Sequence, residues 1–277
     1  MTKRRQASGA VVLAAGLLLC AGASGCSGRG MAAEDARAAD DPVHTLRQAP
    51  DALLRAGSSQ ARTSMEMAAG GTRVTIRGEG AYDFRTQHGQ LTVILPQDPA
   101  GATGHPPIVE LLAPGALYMK NRGAGVPADK WVRVATATLS DGNLVTGGAT
   151  DPFAAAEVLR GTRTARYVGR TQVAGVAVRH FRGTADLALA ADGASAAGRG
   201  ALRAAAKGFA TAEVPFDAYL DDQGRVRKLR QSYAFVNARR KGTVEVFSTT
   251  LLYAFGTKVT VTLPREKDIF TGRVAEE

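Results

Sequence analysis

A chain of 277 residues with a formal charge of +10 has enough length for one domain with a sizeable core. Its two cysteines, Cys20 and Cys26, lie within the first 26 residues, so whatever folds beyond them has no disulfide framework and no cysteine-based metal site. The basic excess suits an anionic partner such as a membrane surface. Nucleic acid is excluded as an expected partner, because no zinc-finger, helix-turn-helix or RNA-binding motif occurs; codons rich in G and C also produce an Ala-, Gly- and Arg-rich composition of this kind.

The first 25 residues read as an export leader. Lys3, Arg4 and Arg5 form a cationic start, and the uncharged run from Ala10 to Ala23 is the length of a signal core. That run is too short for a membrane-spanning helix, which needs about 20 apolar residues. Small residues from Ala21 to Gly25 precede Cys26, and Ala23, Ser24, Gly25 and Cys26 resemble a lipobox with Ala where Leu is usual. Cys26 is therefore the expected lipidation site, with palmitate among the chains it would carry. Cys20 competes poorly because the bulky Leu19 precedes it. A plain secretory cut near Ala23 is the alternative. Removing the three leader cations lowers the charge from +10 to +7.

Residues 26–41 are small and charged without apolar periodicity, the composition of a flexible tether. Asp41 and Pro42 then give an N-cap followed by proline at the first helical position, with Val43, Leu46, Ala49, Leu53 and Leu54 at helical spacing and Pro50 expected to break the helix. From Thr63 the apolar period becomes two: Met65 and Met67, Val74 and Ile76, Tyr82 and Phe84, then Leu91, Val93 and Leu95, with turn signals between runs. Further strands are expected at 108–112, 116–121 and 131–135. Asp151 and Pro152 repeat the cap-plus-proline signal before a short helix that stops at Gly161. Strands resume at 165–173 and 176–187. Residues 190–208 read as an Ala- and Gly-rich loop ending in a weak helix at 201–207. Four more strands follow, at 214–220, 226–236, 243–255 and 259–263.

About eleven half-apolar strands and two or three short helices require an α+β fold, mostly antiparallel β, in which one curved half-barrel sheet has the helices as a lid over a hydrophobic cavity. The expected folded domain is 42–264, with 265–277 as a C-terminal tail.

The order of short motifs is suggestive at this point. Ser64, Met65, Glu66 and Met67 precede Gly78, Glu79, Gly80, Ala81, Tyr82, Asp83 and Phe84; Leu117 and Tyr118 precede Lys130, Trp131, Val132 and Arg133; Asp151 and Pro152 precede Val158 and Leu159. Val173 to Val176 then lead into Arg179, His180, Phe181, Arg182, Gly183 and Asp186, and Val214 to Arg225 follow. In this order the chain resembles the mycobacterial and actinobacterial lipoproteins of the LppX and LprG type, which share the LolA and LolB lipoprotein-carrier fold. The resemblance covers nearly all of the mature domain. It implies a LolA-like half-barrel that binds or transfers an envelope lipid or glycolipid at the outer face of the cell membrane, without catalysis. The same fold in RseB-type regulators implies the alternative, an envelope-sensing lipoprotein with a protein partner.

Catalytic signatures are missing: there is no Gly-x-Ser-x-Gly, Walker loop or His-Glu-x-x-His. His44, His88, His105 and His180 are isolated in sequence and read as surface or turn residues; for His180, beside Phe181 on an expected strand, a hydrogen-bonded buried imidazole is the alternative. Asp221, Asp222, Gln223 and Gly224 fit a hairpin turn better than a calcium loop. No cofactor and no metal are expected. The candidates for an acyl-chain cavity are the apolar strand positions Met65, Met67, Val74, Ile76, Leu91, Val93, Leu95, Val134, Val259 and Val261, all of which also suit an ordinary core. Arg239, Arg240 and Lys241, at an expected hairpin tip, are candidates for contact with anionic headgroups; the other reading is a charged tip that keeps a sheet edge soluble.

Overall fold

The computed structural model describes residues 41–69, 72–96, 106–145, 150–237 and 242–272. The leader, the tether with Cys26, His105 and the basic triplet Arg239, Arg240 and Lys241 lie outside the described residues.

Eleven strands form one antiparallel sheet: β1 (Ser58–Ala69), β2 (Thr72–Asp83), β3 (His88–Ile94), β4 (Ile108–Ala113), β5 (Ala116–Lys120), β6 (Val132–Ala135), β7 (Thr162–Val173), β8 (Val176–Asp186), β9 (Glu213–Leu220), β10 (Val226–Asn237) and β11 (Gly242–Tyr253). They are ordered β6-β5-β4-β3-β2-β1-β11-β10-β9-β8-β7, so the sheet is open, with β6 and β7 at its edges. The pairing of β1 with β11 joins an N-terminal meander to a C-terminal one. Five α-helices are described: α1 (Pro42–Arg47), α2 (Ala49–Ala56), α3 (Pro152–Glu157), α4 (Leu187–Gly193) and α5 (Ala196–Gly208).

The two expected cap-plus-proline signals are formed. Asp41 accepts a hydrogen bond from the His44 amide, and Asp151 accepts from the amides of Phe153 and Ala154. Gln48 ends α1 and begins α2, with Pro50 in the first turn of α2, where its missing N–H costs nothing. The Asp221 turn is a hairpin: its carboxylate accepts from the amides of Gln223 and Arg225, and Gly224 has φ +74.

Two expectations fail. Residues 190–208 are not mainly a loop, because Asp186 caps α4 through the Leu189 amide and Ser195 caps α5 through the Gly198 amide. Leu187, Ala190, Ala191, Leu202 and Ala205 are buried, so small side chains stabilise these helices by close packing. Residues 259–263 form no strand and lie outside the ladder.

The core lies on the concave face of the sheet. Met65, Leu91, Val93, Leu117, Phe181, Phe216, Leu229, Tyr233, Val246 and Leu252 face it, and Phe153, Val158, Leu159, Leu187 and Leu202 from the helical side fill it. Polar ties fasten the cover. The Gln231 amide nitrogen donates to the Ala155 carbonyl at 3.0 Å, Thr150 and Ser248 share a 2.6 Å hydroxyl bond, and Glu157 accepts from the Ser195 amide at 2.7 Å. The β6 edge is covered in part by residues of the expected tail. The Trp131 amide donates to the Asp268 carbonyl, and the Phe270 amide to the Trp131 carbonyl.

Candidate ligand-binding site at the open end of the sheet

β1, β3, β5 and β10 all end on the same side of the sheet, at Ala69, Ile94, Lys120 and Asn237. This end is not covered by α1 to α3. Here Met67, Ile76, Leu95 and Val126 are partly buried against the core, while Ile94 and Val236 are 61% and 69% exposed. Large apolar side chains left in water at one end of a sheet mark an interaction surface better than scattered ones do.

A groove of about 430 Å³ opens at this end, within the size range of small-molecule sites, roughly 300–1,000 Å³. Ile76, Leu95 and Ile108 form its floor, and Ala124, Val126 and Pro127 its outer wall. The wall is the connection from β5 to β6. Asn121, at φ +62, turns the chain out of β5, and its amide nitrogen donates to the Pro107 carbonyl at 2.9 Å, which ties the wall to the entry of β4. Gly123 and Gly125, at φ +106 and +79, supply left-handed backbone that other residues adopt at a cost. Asn121 and Arg122 place polar and cationic groups at the groove's side.

Inside the sheet, the space beneath the helices is small. A cavity of about 30 Å³, room for about two waters, lies among Tyr82, Asn143, Asp151, Phe153, Glu157 and Ala201. The two Asn143 side-chain polar atoms have no described protein partner. Glu110 is fully buried on the concave face of β4, opposite Leu91 and Met119, and neither of its carboxylate oxygens has a described hydrogen-bond partner. Burial holds its carboxyl well above the usual range; the Arg122 charge opposes this and Asp151 adds to it. Asp151 is also raised by burial, against hydrogen bonds from the Ala154 and Phe153 amides and the Tyr82 hydroxyl. Glu157 is raised by burial, against the Ser195 amide and hydroxyl and Arg160.

The sequence candidates separate into three groups. Met65, Leu91 and Val93 are fully buried in the core; Met67, Val74, Ile76, Leu95 and Val134 are partly buried on the concave side, and of these Ile76 and Leu95 line the groove. Val259 and Val261 are not on the concave face. They lie across the opposite face, beside Gln60, Ala81, Gln90 and Thr92, because the chain leaves the ladder after Tyr253 and crosses behind β1 to β3. Ile108, Val126 and the Asn121 turn were missed as groove residues. The glycine pair with Pro127 was their signal, marking a shaped loop. His180 is part-buried on the outer face of β8: its Nε2 lies 2.6 Å from Asp217 Oδ1, and its ring stacks on Tyr219 at 4.3 Å. Among the described residues no cluster of three or more His, Cys, Asp or Glu side chains is placed to hold a metal, and no helix is long and apolar enough to cross a membrane.

The described residues thus form an open antiparallel sheet with a helical cover and an apolar groove at one end. The chain is structurally similar to the lipoprotein LppX of Mycobacterium tuberculosis, with a TM-score of 0.46 and 11% identity over 80% of this chain and 100% of that one. It is similar also to LprF of Mycobacterium bovis, with a TM-score of 0.41 and 16% identity over 81% and 97%. A putative outer membrane lipoprotein-sorting protein domain from Vibrio parahaemolyticus matches at a TM-score of 0.31 and 10% identity over 77% and 92%. No protein-family model and no curated protein matches the sequence.

Proposed function

We propose that this chain is an exported, lipid-anchored protein of the outer face of the cell membrane that takes an acyl chain of an envelope lipid or glycolipid into the groove at the open end of its sheet. The proposal includes a leader over 1–25, acylation of Cys26 and a tether over 26–41. No catalytic step is part of it. The observation that carries the reading is the groove itself: about 430 Å³, with an apolar floor of Ile76, Leu95 and Ile108. Burying apolar surface contributes about 25 cal/mol per Å², so a chain laid along this floor gains free energy with every methylene it withdraws from water.

The same end suits a bilayer. Ile94 and Val236 are exposed there, and Arg239, Arg240 and Lys241 follow Val236 closely in the sequence. Each cation close to an anionic surface contributes on the order of 1 kcal/mol. Two acyl chains on Cys26 give stable anchoring where one does not, and a tether of about 15 residues confines the domain to tens of Å from the membrane. Lipid would thus be taken up or presented locally.

A fluorescent fatty-acid probe tests the groove. The Cys26→Ser chain is expected to bind the probe, and Leu95→Asp and Ile76→Asp are expected to weaken binding at least tenfold. Equal binding by all three proteins would reject the groove as the site. A protein with no probe uptake that forms a stable crosslinked complex with an envelope protein would favour the sensing alternative.

A further inference from the structure

A second groove, of about 330 Å³, lies on the convex face of the sheet across β8 to β11, on the side away from the helices. Register builds it. Arg182 of β8 stands opposite Asp217 of β9, which stands opposite Arg230 of β10, so the two arginines are two strands apart, about 10 Å. In the next outward-facing row, Pro215 and Ser232 flank the groove, and Phe247 of β11 pairs with Ser232.

The charges are positioned. Asp217 accepts from Arg182 Nε at 2.9 Å and from His180 Nε2 at 2.6 Å, so its negative charge is directed to one side and fixes the Arg182 fork. Burial raises the Asp217 carboxyl, but its bonds from His180 and Arg182 outweigh this and hold it below the ordinary range. The Arg230 guanidinium lies 5.3 Å from the centroid of the Phe247 ring. Arg182 keeps 55% of its side chain exposed, and Arg230 is exposed. Two accessible guanidiniums, one oriented by a carboxylate and one by a ring, face a groove with a single carboxylate. Planar guanidinium forks match carboxylate and phosphate oxygens.

The remaining wall groups select among anions. Phe247 and Pro215 offer flat apolar surfaces, Ser232 offers a hydroxyl, and the Asp217 carboxylate accepts hydrogen bonds from hydroxyl groups. A ring carrying C–H faces, hydroxyls and one acidic group satisfies all of these together. An aliphatic anion leaves the carboxylate and Ser232 unused. We propose that this groove binds an acidic sugar, a saccharide unit bearing a carboxylate or phosphate, on the face opposite the acyl-chain groove. Arg182 and Arg230 hold the acid group, Phe247 and Pro215 support the ring, and Asp217 and Ser232 take its hydroxyls. The unit is a residue of an envelope glycan or a glycolipid headgroup, which share this chemistry.

The test is titration of the Cys26→Ser chain with glucuronate, glucose, inorganic phosphate and an acidic polysaccharide, read by calorimetry and amide chemical shifts. Glucuronate and the polysaccharide are expected to bind with shifts centred on Arg182, Asp217, Arg230 and Phe247, and glucose is not. Arg182→Ala and Arg230→Ala are each expected to weaken glucuronate at least fivefold, with Arg265→Ala, on the far C-terminal segment, unchanged. Phe247→Ala should weaken glucuronate and leave phosphate unaffected. Arg230→Lys guards against misfolding, since it keeps charge and bulk but loses the fork. No glucuronate binding, binding insensitive to Arg182 and Arg230, or phosphate binding equal to glucuronate in both wild type and Phe247→Ala would overturn the proposal. Binding to vesicles containing phosphatidylglycerol through Arg182 and Arg230, without sugar binding, would overturn it in favour of a membrane-docking face. If glucuronate binds, a polysaccharide that competes with it better than an acidic glycolipid in vesicles assigns the groove to glycan, and the reverse order to headgroup.

Discussion

Along β8, Phe181 enters the concave core and is fully buried, while Arg182, the next residue, stands on the outer face and pairs with Asp217. The same step recurs at Phe216 and Asp217, at Leu229 and Arg230, and at Val246 and Phe247. One backbone thus carries a dry face and a charged, aromatic face, and they are held by different means. The concave side is closed by helices packed through Phe153, Leu159 and Leu202 and tied by Gln231, Ser248 and Glu157. The convex side of β8 to β11 carries cross-strand pairs such as Arg182 with Asp217 and His180 with Tyr219. Substitutions on the inner face should therefore register in stability, and those on the outer face in binding.

The largest effect is expected at Phe153, fully packed between the sheet and the cover and 6.0 Å from the Phe84 ring. Phe153→Ala should cost about 3–5 kcal/mol. In a domain of this size about 2–4 °C of Tm is lost per kcal/mol, a drop that calorimetry reads directly. Phe247→Ala on the outer face should cost much less, and equal losses would break the contrast between the faces.

Glu110 gives a smaller effect with a definite sign. Its folded pKa is raised, so it binds a proton more readily folded than unfolded. Its contribution is fully present below the ordinary carboxylate range and is lost as pH rises through the folded value. Glu110→Met, close in volume and without orphaned oxygens, should stabilise the domain at pH 8 by about 1–3 kcal/mol, with the difference shrinking toward pH 4. Urea denaturation at both pH values checks it, and a pH-independent difference would contradict it.

Asp217 has the opposite sign and a smaller size. Its folded pKa is lowered, so its contribution is present above the ordinary aspartate range and is lost as pH falls through the folded value. The group is largely solvent-screened, and Asp217→Asn should cost below about 1 kcal/mol at pH 7. The smallest expected effect is on membrane affinity. Neutralising Arg239, Arg240 and Lys241 should weaken binding to anionic vesicles at low salt and leave Tm unchanged.

Much of this architecture is legible in the sequence because it rests on local rules. Period-two runs such as Leu91, Val93 and Leu95 mark half-buried strands, and Asp41-Pro42 and Asp151-Pro152 mark helix starts. What is lost is non-local. The helix over Leu187–Gly193 depends on Asp186 as its cap and on a packed environment for small side chains, so its composition reads as loop. Val259 and Val261 alternate like strand residues, yet the chain has left the ladder at Tyr253 and crosses the outer face. Glu110 sits in an apolar run whose pattern shows a strand but not that its carboxyl is sealed inside. The Arg182, Asp217 and Arg230 row joins residues far apart in the chain and exists only once the register is known.

On the function proposed above, Ile76, Leu95 and Ile108 floor a site for an acyl chain. Mass spectrometry of the organic extract from the purified Cys26→Ser chain tests it most directly. The expected result is a co-purified lipid near one per protein in the parent and its loss in the folded Leu95→Asp variant. An extract without lipid from the parent, or equal lipid in both proteins, would contradict the claim.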